Sequence, residues 1–180
     1  MLLTFAGCAQ DPRQTLHDIN KELKMNSDER NKKIIEALSK AFNMELETVV
    51  NYIAVSTNLD GVRAKHIKDE LAADVPTELQ HAQLIANRIK TIGGMVPGSL
   101  ALVMEQEKMQ TPKDTTDIEA VIKGVIAAEE GAIAQYKKII ELASGFDPAT
   151  EDLAITALAD EEEHRREFLG FLKEIEAGRV

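Results

Sequence analysis

Cysteine is almost absent from this chain. The single Cys8 excludes an internal disulfide, a CxxC site and a cysteine-ligated iron centre. Proline is scarce, with 5 residues in 180, and helix-forming residues dominate, so an all-α fold is expected. Positive charge is also in short supply. Lys and Arg number 21 against 31 Asp and Glu, a net charge of −10. That balance argues against nucleic acid and anionic membrane as partners and favours cations. No apolar run approaches the ~20 residues of a membrane span, so a cytoplasmic location is expected. The length suits one domain with a substantial core.

The first residues stand apart. Phe5-Ala6-Gly7-Cys8 is similar to the end of a bacterial lipoprotein signal, which would imply a lipid-anchored or periplasmic protein. Met1–Phe5 is too short for an apolar signal core and has no basic flank, so chance similarity is the preferred reading. Leu16, Ile19 and Leu23 are spaced along one face of a short helix that can pack on the body or on another subunit. Residues 1–27 are read as an N-terminal extension and 28–180 as the folded domain.

What the chain does have is a run of four letters, Glu161-Glu162-Glu163-His164, inside a long periodic segment. Ala154, Ala157, Leu158, Phe168, Phe171 and Ile175 recur at spacings of three and four, the stripe of an amphipathic helix. Glu161 and His164 share the phase of that stripe, and Glu162 and Glu163 do not. A bare carboxylate on a core face would cost several kcal/mol, so it needs a strong partner.

Three further helices repeat this pattern. The first is expected to start after a Ser27 cap and to stop near Asp60-Gly61, with Leu38, Phe42, Val49, Tyr52 and Ser56 inside and Glu45 among them. The second spans about 62–92 and carries Glu78 and His81, another Glu-x-x-His. Pro76 interrupts it as a kink and not a break, because the stripe continues in phase. The third opens at Thr116-Asp117-Ile118-Glu119, read as a capping box, and carries Glu129 in phase. The fourth starts at Asp147-Pro148. Between the second and third helices lies a long connector, whose middle, 99–109, is expected to form a short helix. A connector of this length can cross the bundle and return the chain in the same direction.

The chemistry repeats as well. Glu45 is followed seven residues on by Tyr52, and Glu129 by Tyr136. Helices two and four each supply Glu-x-x-His. Four carboxylates and two imidazoles at mid-length of four apolar faces make a set that suits two divalent ions. The four negative charges neutralise them, and oxygen donors with one imidazole each favour Fe(II) or Mn(II). This is the ligand pattern of ferritin-like di-iron carboxylate bundles.

Met44-Glu45-Leu46-Glu47-Thr48-Val49-Val50-Asn51-Tyr52 resembles the first-helix motif of bacterioferritins, and the two Glu-x-x-His motifs resemble that family's own. The resemblance covers about 31–177. It implies a ferritin-like four-helix bundle with one long crossover. It implies Glu78 and Glu161 as bridging ligands, Glu45 and Glu129 as terminal ligands, His81 on one iron and His164 on the other. Tyr52 matches a tyrosine beside the centre, a candidate redox residue. Three departures are visible. Leu79 stands where the haem-ligating Met is expected, so haem is not expected. The sequence stops at Val180 without the short fifth helix of the twenty-four-subunit cage, which makes a dodecameric shell of the Dps-like kind the substitute. The paired cysteines frequent in that subgroup are absent.

The expected function is therefore a ferroxidase for iron storage or detoxification. It would hold two Fe ions per subunit (Mn as the alternative metal), oxidise Fe(II) with O2 or H2O2, and form a homo-oligomer. The rival readings are a redox enzyme with the same centre and no storage, such as a rubrerythrin-like peroxidase or a manganese catalase, and a helical module whose acidic core is vestigial.

Overall fold

The computed structural model of the chain describes residues 12–178, and side chains from residue 26 onward. Cys8 and residues 1–11 lie outside the described residues, as do the side chains of Leu16, Ile19 and Leu23. Four long helices and no strands make up the described fold: α1 (Pro12–Asn58), α2 (Ala64–Thr91), α3 (Ile118–Ala143) and α4 (Pro148–Glu176). The expected all-α bundle is the one observed.

α1 begins earlier than expected. It runs through Ser27 without a break, and Ser27 is an exposed mid-helix residue instead of a cap. A cap starts a helix only where the preceding residue leaves helical geometry. Nothing between Pro12 and Asn58 forces that, since the helix contains no Gly and no Pro after its first residue. Arg30 and Asn31 tie α1 to the far end of the bundle. The Arg30 guanidinium donates to the Leu142 and Ser144 carbonyls, at 2.8 and 2.6 Å, and Asn31 donates to the Ile92 carbonyl at 3.0 Å. Val49 and Ser56 prove only half-buried on α1.

α2 passes through Pro76 as one continuous helix. It stops where Gly93 takes a positive φ of 88°, a conformation that side chains resist. α4 starts as expected, with the Asp147 side chain accepting from the Thr150 N–H and Pro148 at the first helical position. The α3 cap lies one residue later than the expected box. Asp117 accepts from the Ala120 N–H, while Thr116 is engaged by Asp114.

The connector, residues 92–117, contains only one 3-10 turn, Ser99–Ala101, and not the short helix expected over 99–109. The reason is anchoring of its backbone by the neighbouring helices. The chain stays extended and is pinned from both sides. The Glu47 carboxylate accepts from the Glu105 and Gln106 N–H groups, at 2.7 and 2.8 Å. On α3, Gly124 admits the connector backbone, because a Cβ there would lie 2.6 Å from the Lys108 carbonyl.

The crossover sets the helix directions. Tyr52 meets Glu129 and Tyr136 meets Glu45, so α1 and α3 run antiparallel. α2, antiparallel to α1, is therefore parallel to α3. Two apolar clusters fill the ends of the bundle. One gathers Leu59, Ile67, Leu71, Ile122 and Phe168; the other gathers Leu38, Ile85, Ile89, Ile139 and Ala157. Between them lies a belt of buried polar side chains.

Candidate metal centre

Glu45, Glu78, His81, Glu129 and Glu161 are all buried in that belt, and His164 is nearly so. Glu162 and Glu163 face solvent, as their phase predicts. Each belt residue comes from mid-helix, where four apolar stripes turn it inward. The structure brings the six expected residues together as two overlapping groups. One comprises Glu45, Glu78, His81 and Glu161; the other comprises Glu78, Glu129, Glu161 and His164. Glu78 and Glu161 belong to both. Within each group one donor atom per residue lies within 4.8 Å of all the others, close enough to hold a metal ion.

The two halves are built alike. Tyr52 donates its hydroxyl proton to Glu129, and Tyr136 donates to Glu45, so each tyrosine of one helix orients the carboxylate of the opposite helix. His81 turns Nδ1 to Glu161 at 3.1 Å and Nε2 to Asp160 at 3.2 Å. His164 places Nδ1 3.3 Å from Glu78 and Nε2 4.0 Å from Asp74. An aspartate thus stands behind each imidazole, within hydrogen-bond distance only at His81. There the outer carboxylate can fix the tautomer that turns the inner nitrogen lone pair to a ligand.

Sequence reasoning missed Asp74 and Asp160 as members of this belt. Asp74 sits one helical turn before Glu78, a spacing that could have flagged it. Asp160 directly precedes Glu161 and is reached only because α4 turns its edge to α2. Tyr136 was visible as the repeat of Tyr52, but no role was attached to it.

The electrostatics describe a site short of positive charge. Burial first, then the neighbouring Glu161 and Glu78 charges, push the Glu45 carboxyl well above the usual range. Burial does the same for Glu129, with Glu161 adding to it. Burial and the adjoining carboxylates raise both the Tyr52 and Tyr136 phenols, so they stay protonated donors. Burial alone would lower the imidazoles. The Glu161 and Glu78 carboxylates beside them win, and push His81 up to about 10 and His164 up to about 11. Burial would raise Glu161, yet His164 and His81 together hold it down at about 2. The imidazoles offset the Glu78 and Glu161 carboxylates, and the upward shifts of Glu45 and Glu129 favour their protonated forms. Glu78 Oε1 and His164 Nδ1 face each other 3.3 Å apart as an ion pair without hydrogen-bond geometry. Four carboxylates and two imidazoles gathered at one buried place are a donor set that fits a pair of divalent ions.

Fold and belt together define a class: a helical bundle whose core carboxylates and imidazoles can hold a pair of metal ions. Comparison with known proteins agrees. The family model described as Ferritin-like domain matches residues 35–177. The chain belongs to the ferritin-like family. A curated relative is the DNA protection during starvation protein of Pyrococcus furiosus, 29% identical over 139 residues, covering 76% of this chain and 75% of the relative. A dodecameric thioferritin, the bacterioferritin-related protein of Bacteroides fragilis, superposes with a TM-score of 0.71 at 25% identity, covering 83% of this chain and 89% of that one. The bacterioferritin of Desulfovibrio desulfuricans, whose structure contains a diiron site, superposes with a TM-score of 0.68 at 21% identity, covering 84% of each chain.

Proposed function

We propose that this protein is a ferroxidase of an iron-storing or iron-detoxifying homo-oligomer. Its substrate is Fe(II), two ions per subunit, held by Glu45, Glu78, His81, Glu129, Glu161 and His164. The observation that carries this reading is the sharing of Glu78 and Glu161 between two donor groups of matching composition. Shared carboxylates hold two ions close enough for one oxidant to take an electron from each. Two Fe(II) give two electrons, enough to reduce one H2O2 with two protons to water, so no one-electron product escapes. Anionic oxygen donors favour Fe(III) over Fe(II), which drives the oxidation forward.

The chain's own residues do the positioning. Tyr52 and Tyr136 fix the outer carboxylates. Asp160 holds the His81 imidazole from behind, and Asp74 adds its charge near His164. Tyr52 is the candidate redox residue by its resemblance to the family tyrosine, and its contact with Glu129 is compatible with that role. Mn(II) suits the same donors. Leu79, half exposed on α2, has no lone pair to offer a haem iron.

Assembly into a dodecameric shell is the second part of the proposal. It is supported by the dodecameric relative and by apolar side chains left at the surface, Val50 and Ile53 on α1 and Leu79 on α2. The relative from P. furiosus is named for DNA protection. At a net charge of −10, the reading here is protection by consuming iron and peroxide, not by binding the nucleic acid.

Stopped-flow oxidation of two Fe(II) per subunit, with O2 and separately with H2O2, tests the activity. Wild type should oxidise Fe(II) at least tenfold faster than buffer with one oxidant. If it does not, while the Mn(II)-loaded protein destroys peroxide, the catalase reading replaces this one.

A further inference from the structure

Between α1, α3 and the connector lies a cavity of about 580 Å3, a volume in the range of small-molecule sites. None of the six candidate metal ligands lines it. It follows α3 from Gly124 to Lys138, ~21 Å at 1.5 Å per residue, and is therefore an elongated slot. Its floor is apolar, with Met44 from α1, Met109 from the connector, and Ala127, Ala128 and Gly131 from α3. The small α3 side chains leave the slot open. A Cβ on Gly131 would meet only the Met44 methyl, at 3.4 Å. Methionine side chains adapt their shape to an apolar guest.

Two polar features define the chemistry of that guest. Gln135 is only 7% exposed, and its amide nitrogen donates to the Ala37 carbonyl at 2.7 Å. That bond fixes the carboxamide and leaves Oε1 on the cavity wall, where no described residue donates to it. An acceptor held there calls for an N–H or O–H from the guest. The second feature is charge. In a protein of net charge −10, Lys40, Lys108 and Lys138 all line this one cavity. Lys40 is paired with Glu105 at 3.0 Å, and the Glu47 carboxylate is taken by two backbone N–H groups. Lys108 and Lys138 have no ion pair among the described residues, against one remaining acid, Glu107. Lys138 stands one helical turn from Gln135, so a cation and an acceptor are neighbours at one end of the slot.

We infer that this cavity binds an amphiphile whose head joins a carboxylate to a hydrogen-bond donor, the chemistry of an N-acyl amino acid. The carboxylate meets Lys138, the amide N–H meets Gln135 Oε1, and the acyl chain lies along Met44, Ala128 and Gly131 toward Met109. A plain fatty acid lacks the donor, and a neutral amide lacks the charge. Burial of the chain drives binding, and the head fixes its direction. Binding is non-covalent and independent of the metal centre.

The test is isothermal titration calorimetry on the full-length protein, with N-lauroylglycine below its micelle concentration as the probe. About one molecule should bind per subunit. N-lauroylsarcosine is the same molecule with the N–H methylated, and losing that hydrogen bond should weaken binding about fivefold. Lys138→Glu reverses the charge at the head, and Ala134→Phe fills the slot beside it. Both positions are exposed, so folding is not at stake. Lys138→Glu should weaken N-lauroylglycine about tenfold. Ala134→Phe should abolish binding. Equal affinity for the two probes, or an unchanged affinity in Lys138→Glu, would overturn the assignment. So would an absence of binding to wild type. Uptake of many molecules per subunit, unaffected by Ala134→Phe, would mark adsorption to the surface and overturn it as well. Each of these results leaves the metal centre standing.

Discussion

At the residue scale the centre is a competition between protons and metal. Two imidazoles held at about 10 and about 11 carry their protons near neutral pH, and two carboxyls pushed upward hold protons more tightly than usual. Two divalent ions should therefore displace at least the two imidazole protons per subunit, and affinity should climb with pH. Proton release in weak buffer, followed by an indicator dye during Mn(II) titration, measures this. Release of fewer than one proton per metal would contradict it. The same groups set a pH dependence of folding. Glu45, Glu129, His81 and His164 bind protons more tightly folded than unfolded, so their contribution is present at low pH and lost as pH rises. For the histidines the loss runs from the unfolded value of 6.5 to about 10–11. Glu161, held at about 2, acts oppositely, and its contribution is lost only as pH falls below 4.5. The metal-free protein should melt at progressively lower temperature between pH 6.5 and 10, and metal should abolish that slope. A flat metal-free profile would show the imidazoles to be uncharged. The six candidate ligands were legible in the sequence because each shares the phase of an apolar stripe. Asp74 and Asp160 were not, because they act across the α2/α4 gap, and periodicity within one helix says nothing of its neighbour.

At the element scale the connector is the part that sequence reading handled least well. Pro97-Gly98 and Thr111-Pro112 marked its ends, but its extended course follows from its anchors at Glu47 and Gly124, a tertiary demand. The length of α1 has a related cause. Ser27 is a good capping residue, but nothing before it breaks the helix. The continuity of α2 through Pro76 and the α4 start at Asp147-Pro148 were legible, since both follow from the sequence pattern around them. The anchors of the connector give a stability expectation. Glu47→Ala removes the acceptor for two backbone N–H groups and should cost about 2 kcal/mol, a drop of roughly 4–8 °C in Tm for a domain of this size. Glu47→Gln retains one good acceptor and should recover part of it. Thermal melts of the two variants at one protein concentration decide the point. Equal Tm values for wild type and Glu47→Ala would mean that the connector is not held there.

At the scale of the whole molecule, the proposed storage function calls for more than one subunit, because a single bundle has no interior in which to keep iron. The side chains expected to be covered by neighbours are Val50, Ile53 and Leu79, since each leaves about half of its apolar surface in water. Ile53→Glu with Leu79→Glu should dissociate the assembly while leaving each bundle helical, because neither position belongs to the core. Light scattering read beside circular dichroism reports both. An unchanged mass would move the interface elsewhere.

The central claim is that two ions sit side by side between Glu78 and Glu161. Anomalous scattering at the iron edge, from crystals grown with Fe(II) under anaerobic conditions, tests it most directly. The account expects two peaks per subunit ~3.5–4 Å apart. One should lie among Glu45, Glu78, His81 and Glu161, the other among Glu78, Glu129, Glu161 and His164, with both shared carboxylates contacting both peaks. A single peak, or peaks only on the outer surface beside Glu162 and Glu163, would contradict it.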